Sequence, residues 1–183
     1  MSSPDFSHLP LPLFLDFDGV LHHFFPLPGE SDEQNARFAF LPAFEAAVRQ
    51  SPRPVQIIIS STWRRAKTLS ELRALFSPDI AGLITDVTPV LGLGNGPGAR
   101  HAEVVAWMES KNRFGQPWVG IDDYPELYLP GDAVVACRDE FSSHEAGLLL
   151  EAIADPVLFG QLHPVPVPFT DAEKPRIVVP QGW

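Results

Sequence analysis

The chain has 183 residues, of which 45% are hydrophobic, and a formal net charge of −10 at pH 7. This length suits one domain with a sizeable buried core, and none of its apolar runs is long enough to span a bilayer. The negative charge argues against a broad surface that binds nucleic acid through its phosphates, although a local basic pocket could still hold one phosphate.

Residues 1–10 are predicted to form an extended arm, because prolines interrupt them. The first predicted strand, Leu11–Asp16, delivers two carboxylates to its end, those of Asp16 and Asp18. Asp16 must then end the strand, and Asp18 must lie in the turn where Gly19 lets the backbone bend. This arrangement suits a carboxylate nucleophile beside a carboxylate acid/base, with a hard cation between them. It is a layout for phosphoryl transfer.

Four further short apolar runs read as strands, and helical patterns separate them. The predicted strands are Val55–Ser60, Leu83–Val87, Trp118–Asp122 and Ala133–Cys137. Helix starts are indicated by Pro42 and by capping-box pairs at Thr68 with Glu71 and at Ser142 with Glu145, and Asp155-Pro156 is expected to close the last helix. Strands that alternate with helices predict an α/β fold, a Rossmann-like three-layer sandwich with a mainly parallel five-stranded sheet.

Polar side chains follow three of these strands at the point where each strand ends. Asp16 ends the first, Ser60 the second, and Asp122 with Asp123 the fourth. Sites in parallel sheets lie beyond the carboxyl ends of the strands, so these groups are expected to meet. A hydroxyl can hold a phosphate oxygen, and carboxylates can hold Mg²⁺, which prefers oxygen ligands. The pattern therefore predicts a magnesium-dependent phosphoryl-transfer site.

These residues resemble a known family, the haloacid dehalogenase (HAD) superfamily of aspartate-nucleophile phosphatases. The stretch Asp16–Gly19 matches the first motif of that family, Ser60 the second, and Gly120–Asp123 the fourth. The stretches Ile59–Arg64 and Ile121–Tyr124 are also similar to a subgroup found in bacterial RNA-repair proteins. The resemblance runs from the first strand to the last helix and leaves both proline-rich ends outside.

The resemblance implies a role for each of these side chains. Asp16 would attack phosphorus and form an aspartyl-phosphate, and Asp18 would act as general acid and then as general base. Ser60 would hydrogen-bond the transferred phosphoryl group. Mg²⁺ would bind the Asp16 carboxylate, the Asp18 backbone carbonyl, and the carboxylate of Asp122 or Asp123.

The family also requires a cation, usually lysine, at the start of a helix ahead of the fourth strand. Arg100 opens that helix here, whereas Lys111 lies near its far end. Arginine holds phosphate through two hydrogen bonds and lysine as a point charge, so the charge is kept and the geometry changes. Position favours Arg100, and Lys111 stays the alternative.

Ser61, Trp63 and Arg64 are candidate substrate-binding residues, because a tryptophan beside arginines could stack a base and hold a second phosphate. Equally, Trp63 could pack under the following helix while the arginines lie in water. His22 and His23 follow the nucleophile loop, where their imidazoles could contact substrate, but solvated or packed roles are favoured for both.

Cap domains, which select substrates in this superfamily, have little room here. The interval from Asp16 to Ser60 must hold a loop, a helix and a strand, which leaves space for a flap only. The interval from Ser60 to Arg100 is filled by a helix, a strand and a glycine-rich loop. We therefore expect no sizeable cap and an open site, suited to a nucleotide, a polynucleotide end or another bulky phosphorylated substrate.

Cys137 is the only cysteine and no signal peptide is evident, which predicts a cytoplasmic location. Residues 11–160 are predicted to form the HAD-like catalytic domain. The remaining 161–183 form a proline-rich tail that either covers the domain or docks a protein partner. The alternative function is a non-catalytic binding module of the same fold whose tail docks that partner.

Overall fold

The computed structural model describes residues 6–94 and 96–165. Its sheet has five strands, all parallel, in the order β3-β2-β1-β4-β5. Every predicted strand is confirmed, with its ends displaced by one residue at most. The bounds are β1 Leu11–Leu15, β2 Val55–Ile59, β3 Ile84–Val87, β4 Val119–Asp122 and β5 Val134–Ala136.

Helices cover both faces of the sheet. They are α1 Leu41–Arg49, α2 Leu69–Arg73, α3 Pro78–Ala81, α4 Ala99–Ser110, α5 Ser143–Ala154 and α6 Pro156–Leu162, with short 3₁₀ turns at Thr62–Arg65 and Pro125–Leu127. Both predicted capping boxes are present, at the starts of α2 and α5. Asp155-Pro156 does end α5, but Asp155 then caps α6 at once by accepting the Leu158 amide at 3.0 Å.

The central strand explains why the first apolar run has no polar alternation. Leu13 and Leu15 join the core on the α1 and α5 side, whereas Phe14 joins the core under α4 with Trp107. Alternate side chains of a strand point to opposite faces, so a strand buried on both faces must be apolar throughout. The Rossmann-like α/β prediction is therefore confirmed.

The order of the strands creates the crevice in which the polar side chains lie. From β1 the chain builds outward through β2 and β3 on one side, then returns to add β4 and β5 on the other side. Loops that leave β1 and β4 diverge at this reversal and open a space beyond the carboxyl ends of the strands. Asp16 and Asp122 lie on its two sides.

Within the described ranges, no insertion of domain size interrupts the sheet, and no helix is long and apolar enough to cross a membrane. The segment between β1 and α1 is made of turns and bends. Packing continues to Val165, which is buried against the α4 core. Residues 1–5 of the predicted arm and 166–183 of the predicted tail lie outside the described residues.

Candidate active site

Asp16 is the first residue after β1, and its backbone amide continues the pairing with β4 by donating to Ile121 O at 3.0 Å. Its side chain is only 11% exposed. Asp16 Oδ1 accepts the Phe17 amide at 2.7 Å, and Oδ2 lies 3.4 Å from Arg100 Nη2. Burial raises the pKa of Asp16, and the Arg100 charge opposes that rise. The carboxylate is thus held at the edge of the sheet beside a cation.

Asp18 lies in the turn, as its sequence position requires. Gly19 closes that turn by donating its amide to His22 O at 2.9 Å. The Asp18 carboxylate accepts the Trp63 indole N–H at 3.1 and 3.2 Å, and its Oδ1 lies 3.1 Å from His22 Nε2. The His22 hydrogen bond lowers the pKa of Asp18, and Trp63 adds to this against the effect of burial. Asp18 is therefore ionised and oriented by two side chains.

Gly19 is needed for two independent reasons. Its φ of +69° is a conformation that side chains with a Cβ rarely adopt, and a Cβ there would lie 2.3 Å from Asp123 Oδ2. Gly92 has nearly the same φ, +70°, with nothing within 4 Å of an added Cβ. An alanine at Gly92 would therefore introduce backbone strain alone, whereas an alanine at Gly19 would introduce the same strain and also displace Asp123.

We expect Gly92→Ala to lower the free energy of unfolding by about 1 kcal/mol, the cost of placing alanine in a left-handed conformation. Gly19→Ala should lower it by at least about 2 kcal/mol, because Asp123 must also move. Urea denaturation of both variants measures the difference. Equal losses would contradict the close packing of Gly19 on Asp123.

Three carboxylates converge beyond β1 and β4. Oxygen atoms of Asp16, Asp122 and Asp123 all lie within 4.8 Å of one another. Burial and the Asp16 charge raise the pKa of Asp122 to about 8 and that of Asp123 to about 7. Such a cluster carries more negative charge than its surroundings favour, and its oxygen-only donors suit a hard divalent cation. The residues present fit Mg²⁺.

The two aspartates after β4 differ in their partners. Asp122 Oδ1 accepts the Tyr124 amide at 2.9 Å. Its Oδ2 accepts the Tyr128 hydroxyl at 3.2 Å and Arg100 Nε at 3.3 Å. Both Asp122 oxygens thus receive protein donors, whereas Asp123 lies against the nucleophile loop at Gly19. This difference favours Asp123 as the more available metal ligand.

The raised pKa values predict a pH-dependent response to Mg²⁺. An unfolded Asp titrates near pH 4, so the folded metal-free protein holds extra protons and loses stability as pH rises from about 4 through 8. Mg²⁺ replaces those protons, so the melting temperature should rise more on adding Mg²⁺ at about pH 8 than at about pH 6. Asp123→Asn should shrink the rise, and equal rises in the wild type at both pH values would contradict this assignment.

Ser60 continues β2 beside the end of β1, with its amide donating to Leu15 O at 2.9 Å. Its hydroxyl is fully buried and has no hydrogen-bond partner among the described residues. Buried polar groups are normally paired, so this unpaired hydroxyl at the strand end beside β1 is a candidate partner for a ligand oxygen. Ser61 is also buried, and its hydroxyl accepts the Trp63 amide at 3.4 Å and donates to the Asp16 carboxylate.

Arg100 enters the site from the first turn of α4. Its guanidinium contacts Asp16 and Asp122, as given above, and donates to the Ser60 carbonyl. Burial opposes the charged form, but Asp122 and Asp16 outweigh it and raise the pKa of Arg100. Lys111 instead pairs with Asp86 at 2.8 Å at the far end of α4. Of the two candidate cations, the structure brings only Arg100 to the carboxylates.

Arg64 requires a correction. Its guanidinium turns inward, donates to the carbonyls of Ser60, Ser61 and Thr88, and pairs with Glu103 at 2.6 Å. It therefore lies neither in water nor over the site. Its contacts hold the chain after β2 in place, so the prediction that Arg64 contacts the substrate is wrong.

Glu103 and Tyr128 contribute to the site without having been singled out in the sequence. Glu103 pairs with Arg64 and, at 3.2 Å, with Arg100 Nη1. The helical spacing of Arg100 and Glu103 could have indicated this pair. Tyr128 lies under the site because Gly120 has no side chain, since a Cβ there would lie 3.1 Å from the Tyr128 ring. No sequence pattern marks that contact.

Trp63 packs against the segment between β1 and α1, and its role in substrate binding stays a prediction. The ring packs edge-on against Phe17 and Phe38, with centroids 5.8 and 5.3 Å away. It is nevertheless half-exposed and directs its N–H at Asp18. His23 is buried and packed, with ring nitrogens on Asp139 and Glu30, as favoured for it.

The fold and the site together define a HAD-type α/β protein. The sheet is all parallel, an aspartate pair follows its central strand, a serine follows the neighbouring strand, and an acidic pair stands at the end of β4. The chain belongs to this superfamily: the family described as the HAD domain in Swiss Army Knife RNA repair proteins matches residues 12–145. Both the superfamily and the narrower resemblance to RNA-repair proteins are thereby confirmed. No curated protein and no solved structure matches the chain. Membership assigns the protein to a superfamily composed mostly of phosphatase-type hydrolases.

Proposed function

We propose that the protein is a Mg²⁺-dependent phosphomonoester hydrolase that works through an aspartyl-phosphate intermediate. The observation that carries the proposal is the convergence on Asp16 of Arg100, the Ser61 hydroxyl and two further carboxylates, with the unpaired Ser60 hydroxyl at the end of the neighbouring strand. A phosphate dianion needs the donors, and a divalent cation needs the carboxylates. Both requirements are met around one potential nucleophile.

In the first step, an Asp16 carboxylate oxygen attacks phosphorus, and the bond from phosphorus to the leaving oxygen breaks. Asp18 gives its proton to that oxygen. In the second step, water attacks phosphorus while Asp18 takes the proton of the water. The bond between phosphorus and Asp16 then breaks, which releases phosphate and restores the carboxylate. Arg100 and Ser60 hold the phosphoryl oxygens through both steps.

The resting state of Asp18 suits the second step directly. Hydrogen bonds from His22 and Trp63 keep it ionised, which is the form that accepts a proton. The first step needs the protonated form. An arriving phosphate places negative charge beside Asp18 and so raises its pKa, which favours the proton that the leaving group requires.

Mg²⁺ would be held by the Asp16 and Asp123 carboxylates and the Asp18 backbone carbonyl, with Asp122 behind them. Bound there, the cation would offset the repulsion between several carboxylates and a phosphate. Arg100 alone provides one positive charge against three carboxylates in the cluster, which supports the need for a second cation.

The substrate we propose is a phosphorylated nucleotide or nucleic-acid end. Two observations support it: the family is named for RNA repair proteins, and the described residues carry no cap-sized insertion that would enclose a small metabolite. The catalytic domain would comprise residues 11–160, and the free, buried Cys137 fits a cytoplasmic setting. Partner docking by the proline-rich tail stays a prediction.

A screen of purified protein against nucleotides, 5′- and 3′-phosphorylated oligonucleotides and phosphopeptides, with and without Mg²⁺, tests the proposal. We expect release of inorganic phosphate that requires Mg²⁺ and stops when the metal is chelated. A lack of turnover across the panel would favour the alternative, a binding module that keeps the fold without the chemistry.

A further inference from the structure

A small basic notch opens beside Asp18, on the side of the site that Trp63 forms. The notch is a cavity of about 350 Å³ lined by Arg37, Thr62, Trp63, Ala66 and Lys67. The Arg37 guanidinium carbon lies 5.4 Å from the centroid of the Trp63 ring, and Lys67 Nζ lies 5.8 Å from it. These distances are in the range of cation–π attraction, so one aromatic ring gathers two positive charges.

Among the described residues, neither cation of the notch forms an ion pair, although the Arg37 charge acts on Asp18 and the Lys67 charge on Glu71. Arg49, Arg64, Arg100 and Lys111 each form an ion pair. Within residues 6–94 and 96–165, no Asp or Glu lies within ion-pair distance of Arg37 or Lys67, and both side chains are exposed. A chain with a net charge of −10 thus keeps two unpaired cations together at one place. An anion is the ligand that would complete their coordination.

The notch also has a fixed position relative to the proposed chemistry. The Trp63 ring lies between them: its N–H reaches the Asp18 carboxylate at 3.1 Å, and its π system holds the cations. Packing of Phe17 and Phe38 against the ring fixes this orientation. The lining of the notch includes none of Asp16, Ser60 and Arg100, so an anion held by Arg37 and Lys67 would not be the group that Asp16 attacks.

We propose that the notch formed by Arg37, Trp63 and Lys67 binds a second phosphate of the substrate, distinct from the phosphate that is hydrolysed. This proposal rests on the proposed function and narrows its substrate to nucleotides that carry at least two phosphate groups. The second group can be the phosphodiester that follows the end of a polynucleotide or the other monoester of a nucleoside bisphosphate. Both present the same anionic oxygens to the two cations.

Three substrates separate these sources: adenosine 3′-monophosphate, adenosine 3′,5′-bisphosphate and a 3′-phosphorylated oligoribonucleotide. We expect the wild type to show a higher kcat/KM for one or both of the latter two, mainly through a lower KM. In Arg37→Ala and in Lys67→Ala this preference should fall about tenfold, the effect of losing one charge-assisted phosphate contact. The substrate whose advantage over the monophosphate is lost in these variants, the bisphosphate or the oligoribonucleotide, identifies which second phosphate the notch binds.

Arg53→Ala is the matched control, because it removes the same charge before β2, at the opposite edge of the sheet, and Arg53 has no ion pair among the described residues. It should leave the preference unchanged. Trp63 itself is kept intact because it also contacts Asp18. The proposal would be overturned if Arg37→Ala and Lys67→Ala turned over the monophosphate and kept the wild-type preference for the substrates with a second phosphate.

Binding separates this proposal from the hydrolysis on which it rests. If the wild type hydrolyses none of the three substrates, calorimetric titration with the monophosphate and the bisphosphate still tests the notch. The second-phosphate site is supported, even though the proposed function has failed, if the wild type binds the bisphosphate more tightly than the monophosphate and Arg37→Ala does not. Equal affinities of the wild type for both ligands contradict the site.

Discussion

Asp16→Asn is expected to lower the turnover of any phosphomonoester on the order of 10⁴-fold or more, because an amide cannot act as the nucleophile. The fold should survive. Asn keeps the oxygen that accepts the Phe17 amide, and the substitution removes a buried charge whose burial already raises the pKa of Asp16. Phosphate release with p-nitrophenyl phosphate measures the loss.

The variant is informative only if it is folded, so its melting temperature and circular dichroism spectrum should match those of the wild type. Asp132→Asn is a suitable control, because Asp132 pairs with His101 away from the cluster. That control should retain turnover. Undiminished hydrolysis by a folded Asp16→Asn protein would mean that another group attacks phosphorus.

Arg100→Met should damage both stability and turnover. Loss of the guanidinium leaves Asp16 and Asp122 buried without their cation, which costs about 3 kcal/mol when the carboxylates are ionised. The folded pKa values of both carboxyls should rise further, so the loss of stability should grow as pH increases from about 5 to 8. Turnover should fall about 10²- to 10³-fold, since a phosphate-binding charge is lost.

Lys111→Met is the matched control at the far end of α4, with the same loss of one positive charge. Lys111 is exposed and pairs with Asp86, so little effect on stability or turnover is expected. Arg100→Lys should recover part of the turnover, because it restores the charge without the fork of donors. If Lys111→Met lost as much turnover as Arg100→Met, the assignment of Arg100 as the phosphate-binding cation would be wrong.

The central strands of this fold were readable in the sequence because burial on both faces makes β1 and most of β2 apolar. Phe14 and Ile58 lie on one face and their neighbours on the other, and all are fully buried. Capping boxes marked two helices for a local reason, since both partners lie within one turn. The start of α6 was missed because Asp155-Pro156 both ends one helix and begins the next.

The meeting of Asp16, Ser60 and Asp122 could be predicted because parallel strands bring their carboxyl ends to one edge. The contacts that surround these three residues could not be predicted. Arg64 turns inward to Glu103, 39 residues away in sequence, and Tyr128 fills the space left by Gly120, a contact that no sequence pattern marks. The sequence predicts the position of a residue within a strand or helix, whereas the direction of a long side chain depends on tertiary contacts.

The covalent intermediate on Asp16 is the central claim, and Asp18→Asn with p-nitrophenyl phosphate tests it most directly. This substrate has a leaving group that needs no proton, so the first step should proceed while hydrolysis of the intermediate, which needs Asp18 as base, should stall. Rapid acid quenching and mass spectrometry should then find one phosphoryl group on the peptide that contains Asp16, together with a burst of p-nitrophenolate close to one equivalent per site. Steady turnover without a burst and with no phosphorylated peptide would contradict the account.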